Sequence, residues 1–266
     1  MKDLQGKVAV ITGGAGGVGS ALAARLADRG CHLALVDISE EALTKVVNEL
    51  SVKNINITSH FVDITDKAQM SELPAKVLAA HGKVNILVNN AGITYQKSFE
   101  THSIEDWEKI IAINWWGLLY GCHYFLDALK DSGEGHIINL SSMSAFVGLP
   151  GQTSYCATKA AVKLLSESMW AEMEKLNIGV TSVHPGAIKT GMIQATLKNS
   201  DDLEAAQRNY ELAQRIGVTP EHVAARIIKA IQKKDLRIRV GKDAILLDLL
   251  KRWFPVGIQK LLRLAA

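Results

Sequence analysis

From end to end, the chain alternates between short apolar runs rich in β-branched residues and longer segments of helical period. The runs are Lys7–Thr12 (KVAVIT), His32–Asp37 (HLALVD), Asn56–Val62 (NITSHFV), Val84–Asn89 (VNILVN), His136–Ser141 (HIINLS), Ile178–His184 (IGVTSVH) and Leu236–Gly241 (LRIRVG). Runs of this length and composition read as buried strands. Strands separated by helical crossovers must run parallel and carry helices on both faces. Each crossover is right-handed. The expectation is a single α/β domain, doubly wound, with a central parallel sheet of about seven strands. Ser39 is placed to cap a helix reaching about Leu50, and Thr219-Pro220 supplies a cap followed by proline at the first helical position. Residues 103–130 read as one long helix that tolerates Gly117 and Gly121, and residues 153–177 as another. No linker or repeat divides the chain. The domain is expected to span residues 1–241, with a polar, lid-like stretch near 187–215. Residues 242–266 form an apolar, basic tail of the same domain.

Composition narrows the function classes. Hydrophobic residues make up 48% of the 266 residues and charged residues 21%, the mix of a soluble globular protein. A formal net charge of +3, without Lys/Arg runs, argues against a nucleic-acid partner. Three scattered cysteines fit reduced thiols better than a disulfide framework. The eight histidines show no metal-ligand spacing, so no metal is expected. The N-terminus enters a strand directly and lacks the parts of a signal peptide, which points to a cytoplasmic protein. No apolar run reaches the ~18 residues of a membrane span.

The stretch TGGAGGVG (Thr12–Gly19) follows the first strand and opens a helix. Glycines there permit a tight turn and bring a diphosphate close to the helix N-terminus. Two spacings coexist: Gly14, Gly16 and Gly19 fit GxGxxG, whereas Gly13, Gly17 and Gly19 fit GxxxGxG. Asp37 ends the second strand 18 residues after Gly19, near the spacing of a carboxylate that binds ribose hydroxyls. It would repel a 2′-phosphate, and neither Ile38 nor the loop offers a cation in compensation. NAD is therefore expected in preference to NADP. In SYCATKAAVK (Ser154–Lys163), Tyr155 and Lys159 stand four residues apart, on one face of a helix.

These pieces together resemble the short-chain dehydrogenase/reductase family over roughly residues 5–240. TGGAGGVG matches its TGxxxGxG pattern, which selects Gly13, Gly17 and Gly19. NNAG (Asn89–Gly92), Asn114 in IAINWWG, Ser142 placed 13 residues before Tyr155, YCATK (Tyr155–Lys159) and HPGAIKT (His184–Thr190) follow in family order. The resemblance implies a Rossmann-like fold and hydride transfer between an alcohol carbon and a nicotinamide. It also implies a catalytic set of Asn114, Ser142, Tyr155 and Lys159. Cofactor contacts are implied at Gly13, Gly17, Val18, Gly19, Asp37, Asp63, Asn90, Gly92, Tyr155, Lys159, Pro185, Gly186, Ile188 and Thr190. In this scheme Tyr155 is the general acid/base. Lys159 lowers the tyrosine pKa from its usual value near 10 and holds the nicotinamide ribose. Ser142 polarises the substrate oxygen, and Asn114 positions a water in a proton relay. Family helices corresponding to 103–130 and 153–177 pair across a dimer, often within a tetramer, so a homodimer or homotetramer is expected.

The segments expected around the substrate are Ile93–Phe99, Met143–Gln152 and Ala187–Arg215. They offer Ile93, Met143, Phe146, Leu149, Ile188, Met192 and Ile193, which suit a lipophilic secondary alcohol or ketone. A reductase acting on 3-oxoacyl groups held by a carrier protein shares the pattern, but Asp37 opposes its usual NADPH. A non-catalytic NAD(P)-sensing module is the other alternative, and such a module usually loses the tyrosine or lysine. The tail AILLDLLKRWFPVGIQKLLRL (Ala244–Leu264) is broken by Pro255 into two short helical pieces. It either packs on its own subunit or a neighbour, or makes peripheral contact with a membrane.

Overall fold

The computed structural model describes residues 1–191, 197 and 200–264. Seven strands form one parallel sheet: β1 (Val8–Thr12), β2 (His32–Asp37), β3 (Ile57–Phe61), β4 (Ile86–Asn89), β5 (Gly135–Leu140), β6 (Ile178–Pro185) and β7 (Arg237–Val240). Their order is β3-β2-β1-β4-β5-β6-β7. Each strand stands within about two residues of the run expected for it.

Both faces of the sheet are covered, which explains why its central strands read as continuous apolar runs. On one face, Ala9, Ile11, Leu33, Leu35, Ile86 and Val88 pack under α1 (Gly17–Ala27), α2 (Glu40–Leu50) and the helix Pro220–Lys233. On the other, Val10, Ala34, Val36 and Leu87 pack under α3 (Lys67–His81), α5 (Leu118–Tyr124), α6 (Leu126–Asp131) and α7 (Thr153–Met173). The period-two alternation of side chains thus survives inside fully buried strands. Ser39 caps α2 by accepting from the Ala42 N–H at 3.3 Å, and Thr219 caps the helix at Pro220.

Residues 103–130 do not form one regular helix. They divide into α4 (Ile104–Ile111), a π-helical turn (Ala112–Gly117), α5 and α6. The π turn admits an extra residue where the Asn114 side chain grips the backbone of Ile93. Gly117 and Gly121 are required there and not merely tolerated. A Cβ on Gly117 would meet Ile64 Cγ1 at 2.7 Å, and one on Gly121 would collide with the Asn89 amide. The second long helix ends at Met173, and a 3₁₀ turn carries the chain to Asn177 in the left-handed conformation (φ 54°).

Beyond β6 lie α8 (Leu203–Ile216), α9 (Pro220–Lys233), α10 (Lys242–Trp253) and α11 (Gly257–Leu264). The inner sides of α10 and α11 pack Leu247, Leu250, Ile258 and Leu262 against Phe146, Val147 and Leu149.

Candidate active site

The strand order reverses between β1 and β4, and a doubly wound sheet opens a crevice at such a point beyond its carboxyl ends. A cavity of about 560 Å³ lies there. It is lined from the ends of β1 (Gly13), β2 (Asp37), β3 (Val62, Asp63), β4 (Asn90), β5 (Ser142) and β6 (Pro185). Of the residues singled out in the sequence, Gly13, Gly17, Val18, Asp37, Asp63, Asn90, Gly92, Ser142, Tyr155, Lys159, Pro185, Gly186, Ile188 and Thr190 all face it. Gly19 and Asn114 stand one layer behind.

Backbone geometry builds the β1 end. Gly13 has φ +63°, and a Cβ there would sit 2.9 Å from Ala91 Cα. Gly19 packs against the Gly13 carbonyl with no space for a side chain. Asn90 donates its amide N–H groups to the carbonyls of Thr12 (3.0 Å) and Gly13 (2.9 Å), tying the loop to β4. α1 follows Gly16 with no side-chain cap, as α7 and α10 also lack one, and it has no acid in its first turn. Its leading N–H groups are thus available to an anion at the cavity wall. At the rim, Asp37 accepts from the N–H of Ala15 (3.0 Å) and of Ser39 (3.2 Å), which fixes its carboxylate beside the loop. Asp63 accepts from the Thr65 N–H (2.9 Å) and hydroxyl (2.8 Å), a local turn. Asp66, not Asp63, caps α3.

Ser142, Tyr155 and Lys159 meet at the β5 end. Lys159 is 4% exposed and donates from Nζ to the Leu140 carbonyl at 2.8 Å. Nζ lies 5.6 Å from the centre of the Tyr155 ring. Burial pushes the lysine down to about 8. Burial also pushes the Tyr155 phenol up to about 12, opposed by the Ser142 side chain. The lowering of the phenol by Lys159, expected for the site with its cofactor in place, does not arise in the protein alone. Lys159 sits over the ring, and loss of solvent outweighs the Ser142 hydrogen bond. Asn114 accepts from the Ile93 N–H (2.9 Å) and donates to the Ile93 carbonyl (2.9 Å) and the Thr158 hydroxyl (3.3 Å). Its amide thus clamps the cavity wall from behind. A Cβ on Gly92 would lie 3.1 Å from Asn114 Oδ1 and 3.5 Å from Lys159 Nζ.

Two supporting residues were given no role from the sequence, His184 at the head of HPGAIKT and Asp243 outside every motif. His184, stacked on Phe146 (ring centres 4.5 Å apart), places Nδ1 3.0 Å from the Ser142 carbonyl and Nε2 3.0 Å from the Ser182 hydroxyl. Burial pushes it down to about 4, so it is neutral. Asp243, in the first turn of α10, accepts from the Ala187 N–H at 2.7 Å, and its carboxylate fills the space beside Gly186. It anchors the segment after β6, 56 residues away in sequence.

The substrate residues divide. Ile93 and Ile188 line the cavity. Phe146 and Leu149 do not, because they are engaged by α10 and α11. Met143 is also absent from the lining. Met192 and Ile193 lie outside the described residues. Tyr95, within the expected segment Ile93–Phe99, and Ile113, which the sequence did not single out, add to the walls.

Comparison with known proteins agrees with this architecture. The family model described as short chain dehydrogenase matches residues 7–201. SadH of Mycobacterium tuberculosis, an oxidoreductase by name, is 34% identical over 265 residues, covering 98% of this chain and 95% of the relative. The 2,5-dichloro-2,5-cyclohexadiene-1,4-diol dehydrogenase LinX of Sphingobium indicum is 37% identical over 187 residues, 70% of this chain and 75% of the relative. A short chain dehydrogenase/reductase from Burkholderia phymatum, solved in complex with NAD, superposes with a TM-score of 0.88 at 28% identity, covering 97% of each chain. The chain belongs to the short chain dehydrogenase family and is an oxidoreductase of that class.

Proposed function

We propose that the protein moves a hydride between a nicotinamide cofactor, NAD in preference to NADP, and a secondary alcohol or ketone with apolar surroundings. The observation that carries this reading is the convergence of Ser142, Tyr155 and Lys159 on one cavity whose far end is the glycine loop and Asp37. When bound, the nicotinamide supplies the hydride donor or acceptor.

The chain's own residues do the rest. The uncapped start of α1, with Gly13, Gly17 and Val18, holds the diphosphate, and Gly19 keeps the loop tight. Asp37 binds ribose hydroxyls and repels a 2′-phosphate. Asp63 flanks the adenosine side, Asn90 ties the glycine loop to β4, and Gly92 lines the wall beside Lys159. Pro185, Gly186, Ile188 and Thr190 flank the nicotinamide, and Lys159 holds its ribose. Ser142 donates to the substrate oxygen and polarises it. Tyr155, a neutral phenol at pH 7, already carries the proton that a ketone oxygen takes up on reduction. In oxidation it must first release that proton, and the Lys159 ammonium favours the phenolate. Asn114 acts through Ile93, holding the wall against which the substrate lies. Ile93, Tyr95, Ile113 and Ile188 give that wall its apolar character.

A homo-oligomer is part of the reading. Exposed Trp116 on the π turn, with Leu164 and Trp170 on α7, are apolar groups available for pairing these helices between subunits. A cytoplasmic setting accords with three cysteines that are all free and buried.

The test is a panel of secondary alcohols and ketones with NAD(H) and NADP(H), run on the wild type and Tyr155→Phe. Turnover with NAD(H), lost in the variant, is expected. No turnover of any substrate, or full activity in Tyr155→Phe, overturns the reading.

A further inference from the structure

The outer faces of α10 and α11 have no role in the site or the core. Twenty large apolar side chains are exposed on the described residues, and eight of them fall within residues 245–264. Ile245, Leu246, Leu249 and Trp253 follow one face of α10. Leu261 and Leu264 continue on α11. Between the helices, Trp253, Phe254 and Val256 stand 77%, 63% and 65% exposed around Pro255. The inner apolar residues are already engaged with Phe146 and Val147, so these outer ones are not frustrated core.

Charge decides what fits them. Residues 242–264 contain five cations and two acids. Both acids are turned inward: Asp243 holds Ala187 and Asp248, 3% exposed, takes Arg239 and Arg252. Among the described residues Lys251 donates only to the Pro255 carbonyl, and Lys260 and Arg263 form no ion pair. The outward surface is an aromatic and aliphatic ridge flanked by positive charge. In a two-fold pair of copies the same patch meets itself, which would set these cations against one another. An anionic bilayer surface meets both requirements, taking Trp and Phe into its interfacial zone and the cations among its headgroups. No helix among the described residues is long and apolar enough to cross a membrane, so the contact is in the plane of the surface.

We propose that the α10–α11 ridge is a peripheral docking surface for anionic lipid, with Trp253 and Phe254 as its inserted tip. The test is flotation of the full chain with vesicles of phosphatidylcholine alone or mixed with phosphatidylglycerol, alongside Trp253→Ser/Phe254→Ser. The wild type is expected to float with the mixed vesicles only, and less so at high salt. The double variant is expected to bind at least about tenfold more weakly, with its circular dichroism and cofactor binding unchanged. Failure of the wild type to float, or equal flotation of the variant, overturns the proposal. So does a loss of sedimenting mass in the variant, which would assign the ridge to a contact between copies.

Discussion

The two ends of the cavity are built by different means. At the β1 end, the cradle is backbone: Gly13 in a left-handed conformation, Gly19 against a carbonyl, and a helix start left without a cap. Its glycines lie within a few residues of one another, and Asp37 and Asn90 complete it from the neighbouring strands. At the β5–β6 end, the reacting groups are side chains, held by residues distant in sequence. Lys159 is fixed by Leu140, Ser142 is braced by His184, and the Gly186–Ala187 segment is anchored by Asp243 in the tail. A phosphate needs only oriented N–H groups, which a contiguous turn supplies. A proton transfer needs atoms placed within hydrogen-bond reach, and that takes bracing from several elements.

If chemistry is confined to the β5–β6 end, the largest effect comes from Tyr155→Phe. Removing the proposed proton donor is expected to lower kcat by about 10²–10⁴-fold and to leave cofactor binding, read by NADH fluorescence, nearly unchanged. Loss of cofactor binding in that variant would break the division between the two ends. Asp37→Ala addresses the other end. It removes a carboxylate that orients the loop and, in the proposed role, meets the ribose, so kcat/KM with NAD is expected to fall about 10–100-fold, each lost charged hydrogen bond being worth ~1.5–3 kcal/mol. The NADP value should fall less or rise. A wild type that prefers NADP would contradict the role given to Asp37. Asp243→Ala is expected to be smaller and to appear in kcat more than in the KM for cofactor. It leaves the Ala187 N–H without its acceptor, at ~1–3 kcal/mol, and loosens only the segment after β6. A decrease of about tenfold in kcat, partly restored in Asp243→Asn, is the outcome to look for. An equal change in both parameters would mean that the tail acts on the whole pocket.

The same contrast explains what could be read in advance. Strands, sheet class and the glycine loop follow from local patterns, since a buried parallel strand needs β-branched residues and a loop near a phosphate needs glycine. The break in the helix at residues 112–117 was hidden because its cause, the grip of Asn114 on Ile93, joins residues 21 apart in sequence. Asp243 was hidden for a stronger form of the same reason. An aspartate in the first turn of a helix is common, and nothing local separates one that caps its own helix from one that holds a segment 56 residues away. Phe146 and Leu149, offered as substrate contacts, pack against the tail, and an apolar residue near a site looks the same in sequence whether substrate or the tail covers it. Gly117 and Gly121 had a cue, being two glycines in a helix, but the cue does not name the Ile64 and Asn89 side chains that demand them.

The smallest effect concerns stability, and its sign distinguishes a braced catalytic group from a structural one. Burial lowers Lys159 from 10.5 to about 8 in the folded protein. Between these values the unfolded chain holds a proton that the folded chain has lost, so stability rises with pH across the window from about 8 to 10.5. Below about pH 8 the buried ammonium costs the fold about 3 kcal/mol, at 1.36 kcal/mol per unit. Lys159→Met removes that cost and the hydrogen bond to Leu140, whose unmet carbonyl returns ~1–3 kcal/mol. The net expectation at pH 7 is a variant without turnover that is as stable as the wild type or about 1–2 kcal/mol more stable. Urea unfolding at pH 7 and pH 10 checks it. The wild type should gain on the variant as pH rises, because only the wild type sheds a buried charge. A variant clearly less stable at pH 7 would make Lys159 part of the scaffold, and the β5–β6 end would then owe its geometry to the lysine instead of supplying it.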